Sequence, residues 1–80
     1  MLLGQKGIET LPEVSGGAAC IAHTRIPVWS LVQYRRLGAS DADLLQWYPS
    51  LTPDDLAHAW AYYQTHQEEI EREIEENEAA

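Results

Sequence analysis

After Pro53 this chain contains neither glycine nor proline as far as its last residue, Ala80. Glycine loosens a helix through backbone entropy, and proline breaks one by removing an N–H and clashing with the preceding turn. A segment free of both and rich in Glu, Ala and Gln is a good helix former. Thr52-Pro53-Asp54-Asp55 marks its start. Thr52 is an N-cap, Pro53 suits the first helical position, and the two aspartates favour the positive end of the helix dipole. A third helix is therefore expected to begin here and run on through the tail QEEIEREIEENEAA. Along it Leu56, Trp60, Tyr63, Gln67, Ile70 and Ile74 recur at spacings of four and three, a heptad-like seam too short for a firm coiled coil. Ile70 and Ile74 stand on an otherwise charged tail and need cover. The sequence places that cover on another copy or a partner protein.

Two shorter helices are expected upstream. Pro27 is read as the starting residue of the first, whose Val28, Leu31 and Val32 recur at helical spacing. Trp29, Tyr34 and Leu37 add apolar surface, and Gly38 closes the helix as a left-handed cap. Ser40 opens the second through the capping-box pattern Ser40-x-x-Asp43; Leu44, Leu45 and Tyr48 form its inner face, and Pro49 ends it. Before Pro27, residues 5–26 read as extended. Two short apolar pieces, Ile8–Leu11 and Ala18–Ile26, flank the turn signal Ser15-Gly16-Gly17. Such a hairpin or arm is not stable alone and must pack on the helices or on a second copy.

At 80 residues, one small core is what the chain can build. A single cysteine, Cys20, excludes an internal disulfide, and no apolar run has the length of a signal peptide or a membrane span. A cytoplasmic protein is the expectation. The net charge of −8 is unevenly placed. Residues 1–40 carry four basic against two acidic residues, a balance of +2, whereas residues 41–80 carry eleven acids against Arg72 alone, a balance of −10. An acidic half of this kind repels phosphate and suits a basic protein partner.

Each candidate site also has a plainer role. Ser40–Tyr48, a tight turn and the helix from Thr52 have the layout of a helix-turn-helix. The reading positions would then include Asp54, Asp55 and His58, and aspartates are poor readers of a base edge or a phosphate. Arg25, Arg35 and Arg36 suit phosphate or pair equally well with the acids downstream. Cys20 and His23 at C-x-x-H spacing, with His58 and His66 eight apart, do not make a four-ligand zinc set, so no metal is expected. No phosphate loop, nucleophile motif or acid–base pair stands out. Neither an enzyme nor a cofactor is expected.

The stretch SGGAACIAHTRIPVWSLVQYRRLGASDADLLQWYPSLTPDDLAHAWAYYQTHQEEI closely resembles the small bacterial family known as domain of unknown function 433. The resemblance rests on Gly16-Gly17, the run Thr24 to Val28, Gly38, Tyr48-Pro49, Leu51-Thr52 with Asp55, and Ala59 with Tyr62-Tyr63. It spans about Leu11 to Ile70, and where many members carry Gly before the Thr-Arg pair this chain has His23. It implies a homeodomain-like helix-turn-helix fold with a short β arm in front. It also implies an antitoxin-like role, because members are often encoded beside a PIN-like nuclease and are taken as its partner.

The expectation is thus a mainly α single domain: a β arm over 5–26, a three-helix helix-turn-helix core over 27–66, and an acidic helical tail over 67–80. An antitoxin-like protein of this kind would bind and block a PIN-like ribonuclease through Glu68, Glu69, Ile70, Glu71, Glu73 and Ile74. Thr24, Arg25, Arg35 and Arg36 are its candidate DNA or dimer contacts, for a homodimer that also represses its own operon. The alternative is a stand-alone dimeric helix-turn-helix regulator.

Overall fold

The structure, a computed structural model, describes residues 7–10, 18–24 and 26–79. Six elements follow in order: β1 Ile8–Thr10, β2 Ala19–Ile21, α1 Val28–Arg36, α2 Asp41–Trp47, α3 Pro53–Thr65 and α4 Gln67–Ala79. Among the described residues the chain is mainly helical, with a two-stranded antiparallel sheet in front and four helices rather than three.

The strands pair in the register Ile8 with Ile21, Glu9 with Cys20 and Thr10 with Ala19. The Ser15-Gly16-Gly17 turn read between them lies outside the described residues. All of β2 is buried, whereas β1 buries Ile8 and exposes Glu9 and Thr10. The sheet therefore lies on the helices, as so short a ribbon must. After β2 the chain doubles back: Ile21 N–H donates to the Ile26 carbonyl at 2.9 Å, and Cys20 bridges to Pro27. The Thr24 hydroxyl holds this turn, donating to the Ile21 carbonyl at 2.9 Å and accepting from Ile26 N–H at 3.1 Å.

His23 sits in the same turn at φ 73°. The left-handed region costs an L-residue about 1–2 kcal/mol, and glycine avoids that cost. His23→Gly is therefore expected to stabilise the chain by about 0.5–1 kcal/mol, after allowing for the extra freedom glycine gives the unfolded chain. A thermal melt checks this, and a lower midpoint would contradict it.

Pro27 takes the N-cap position of α1, one residue before the predicted start, with an extended ψ of 142°. Its fixed φ fits the cap as readily as the first turn. At the other end Gly38 has φ 105°; its N–H donates to the Arg35 carbonyl and Ala39 N–H to the Tyr34 carbonyl, the paired bonds of a Schellman ending. A β-carbon on Gly38 would meet no atom within 4 Å, so conformation alone calls for glycine there. Ser40 and Asp43 form a reciprocal capping box on α2, and Thr52 and Asp55 a second on α3. Each satisfies two otherwise orphaned N–H groups.

The uninterrupted third helix is corrected by a break at His66, whose φ of −134° leaves the helical region. Side chains do here what glycine or proline does elsewhere. The Thr65 hydroxyl donates to the Tyr62 carbonyl at 3.1 Å, and the His66 ring, whose Nδ1 lies 3.0 Å from the same oxygen, stacks on Tyr62 at 3.9 Å. Such local side-chain bonds compete with helix continuation. The larger reward is packing, because the bend lays α4 along α1. Ile70 is then 0% exposed and Ile74 3%, inside one core with Ile21, Val28, Leu31, Leu44 and Leu56. Ile70 and Ile74 are thus not anchors for another chain; their cover comes from within, and the heptad-like seam does not exist as one continuous stripe.

Candidate functional site

The last turn of α1 projects Arg35 and Arg36 towards α2, α3 and α4. Arg35 pairs with Asp41 at the start of α2 and lies over the Trp60 indole of α3, 5.0 Å from its centroid. Trp60 Nε1 also donates to Asp41, at 3.3 Å, so one carboxylate ties three helices together. Arg36 pairs with Glu71 of α4 at 2.9 Å and donates to the Tyr63 hydroxyl at 3.3 Å. That hydroxyl donates in turn to Glu71 at 2.9 Å. Arg35, Arg36, Trp60 and Tyr63, flanked by Gln64 and Gln67, line an open groove of about 380 Å³. Both ion pairs are about half exposed, so each contributes roughly 0.2–1 kcal/mol.

The four residues read as DNA or dimer contacts are placed as follows. Thr24 is spent on its turn, Arg25 lies outside the described residues, and Arg35 and Arg36 stand at the far end of α1 with acids already bound. Of the positions that would read a base at the start of α3, Asp54 is exposed, Asp55 is engaged in the capping box and His58 is half-buried.

The six residues read as partner contacts divide by the phase of α4. Ile70 and Ile74 point inward. Glu69 and Glu73 are half-buried at the boundary, Glu69 accepting the Tyr62 hydroxyl at 2.9 Å. Glu68 and Glu71 are exposed, and Glu75, Glu76 and Glu78 join them outside. The outward side of α4 is a row of carboxylates broken by Arg72. No group of three or more potential metal ligands occurs among the described residues.

Glu73 carries strain of an electrostatic kind. Its Oε1 is buried without a hydrogen-bond partner among the described residues. Burial, then the Glu69 and Glu76 carboxylates, push its carboxyl above the usual range, with Arg72 opposing. Burial and Glu73 also raise the Cys20 thiol, which is fully buried and donates to the Ala18 carbonyl at 3.4 Å, so the reactive thiolate is disfavoured. The folded chain holds the Glu73 proton more tightly than the unfolded chain does. Its ionisation therefore subtracts stability at neutral pH, and the loss is recovered as pH falls through the raised folded value towards the unfolded value of about 4.3. Glu73→Gln is expected to raise the melting temperature at pH 7 and to shrink the gain between pH 7 and pH 4. An unchanged pH profile would contradict this.

A family model described as "Protein of unknown function (DUF433)" matches residues 8–63. The crystal structure of a DUF433 member protein from Anabaena variabilis superposes with a TM-score of 0.83 at 54% identity, covering 88% of this chain and 69% of that one. No curated protein matches the chain.

Proposed function

We propose a function from one premise: this chain belongs to the DUF433 family of proteins of unknown function. It is an antitoxin-like binding protein, not an enzyme, that occupies the basic RNA-binding groove of a PIN-like ribonuclease with the acidic face of α4. One observation carries this reading. The isoleucines of α4 face the core while Glu68, Glu75 and Glu76 face solvent, with Glu71 and Glu78 also exposed but bonded to Arg36, Tyr63 and Gln33, giving a rigid helix that presents carboxylates at helical spacing. Such a row imitates the charge of an RNA backbone and complements a groove built to hold one. The helix gains its rigidity from packing on α1, so little ordering cost remains at binding.

A second reading, a dimeric helix-turn-helix regulator, draws on α2 and α3, two capped helices in contact across a short connection. The commitment of Arg35 and Arg36 to Asp41 and Glu71 favours the protein partner over DNA. Co-expression of the full chain with the neighbouring gene's product, followed by tagged capture and mass determination, tests the proposal, which expects that product to be a PIN-like nuclease. A stable complex that weakens as salt is raised is the expected result. Absence of a complex at low salt, with salt-sensitive binding of operator DNA by the chain alone, would overturn it in favour of the regulator.

A further inference from the structure

Three large apolar side chains stand exposed on the described surface, Leu37 at 77%, Trp47 at 53% and Tyr34 at 39%. They are neighbours. All three line one shallow hollow of about 370 Å³ at the junction of α1 and α2, closed by Gly38, Ala39 and Asp43. Tyr34 and Trp47 meet edge to face, with centroids 5.6 Å apart and planes at 69°, so the wall is preformed. The core does not include them, and beyond the contact by which Tyr34 and Trp47 join α1 to α2 no described residue covers the hollow's open side.

We infer that the Tyr34–Leu37–Trp47 hollow is the apolar anchor site for a basic segment of the nuclease partner, which inserts one aliphatic or aromatic side chain flanked by Lys or Arg. This rests on the antitoxin-like reading and adds the hydrophobic contact that the acidic face lacks. The patch is on the order of 300 Å², well short of the ~800 Å² that each side of a stable interface buries. It can therefore be the centre of an interface, with surrounding charged residues supplying the rest. Asp43 is the charged residue lining the hollow, and the chain as a whole carries −8. Two copies meeting here would repel, and a cationic segment would be drawn in.

The test titrates the full chain, Leu37→Ser and Trp47→Ala onto the immobilised PIN-like nuclease, with sedimentation of each protein alone. Both variants are expected to bind at least ~10-fold more weakly, as loss of a central anchor does. Leu37→Ser should keep the parent melting temperature, because its side chain lies outside the core. Parent binding with no loss in Leu37→Ser would overturn this site and leave the antitoxin-like reading standing. No binding by the parent would overturn both. Self-association of the parent that Leu37→Ser abolishes would assign the hollow to a second copy and overturn the basic-segment inference.

Discussion

Ile70→Ala is expected to destabilise the chain by about 3 kcal/mol, within the range for removing a fully buried branched side chain and leaving a cavity. Ile70 is 0% exposed and shares its surroundings with core residues of α1, α2 and α3. A domain of this size commonly has only about 5–10 kcal/mol in total, so the loss should be plain in urea denaturation. Ile74→Ala should follow the same direction. A loss below about 1 kcal/mol at Ile70 would return that side chain to the surface. The prediction also bears on how the acidic helix can be tested. Deleting residues 68–80 would remove both isoleucines from the core and expose α1, so lost binding would then report unfolding. Glu68→Gln, Glu75→Gln and Glu76→Gln alter exposed positions and leave the packing intact.

The second large effect is expected at Gly7. A β-carbon there would lie 2.2 Å from Nδ1 and 2.7 Å from Cγ of His58, and the residue has φ +79°. Two costs add: about 1–2 kcal/mol for the left-handed backbone and about 1–3 kcal/mol for displacing a packed ring. Gly7→Ala should thus cost about 2–4 kcal/mol. The clash reaches Cγ, the ring atom nearest the backbone of His58, so moving the far end of the side chain alone does not relieve it. Adding His58→Ala to the Gly7→Ala background should recover the steric part and not the backbone part. Equal stability of Gly7→Ala and the parent would show that β1 does not approach α3 this closely.

These two sites mark where sequence reasoning stops. Helix ends are local, so they are legible: Ser40 with Asp43, Thr52 with Pro53, and Gly38 each act within a few residues of themselves. Pro27 shows the usual one-residue slack at a boundary. The approach of Gly7 to His58 joins residues far apart in the chain, and no local pattern announces it. The break at His66 was hidden for another reason. Thr65 and His66 are tolerable inside a helix and act here through bonds to the Tyr62 carbonyl, in a bend that burying Ile70 and Ile74 against α1 rewards. Two isoleucines on a charged tail did signal a need for cover, yet periodicity cannot say whether that cover lies inside the chain or outside it. Charge was more informative. The excess of acids downstream left self-pairing open for Arg35 and Arg36, and Asp41 and Glu71 are the partners. The exposed hollow was out of reach, because Tyr34 and Leu37 read simply as apolar surface on the first helix while Trp47 belongs to the second.

Inhibition of the purified PIN-like nuclease on single-stranded RNA tests the central claim most directly, with the full chain set against the triple variant Glu68→Gln, Glu75→Gln and Glu76→Gln. The full chain should abolish cleavage near equimolar ratio. The triple variant, with an unchanged melting temperature, should need at least ~10-fold more, because neutralising three carboxylates removes much of the attraction to a basic groove. Equal inhibition by the two proteins, or none by the full chain, would contradict the role assigned to α4.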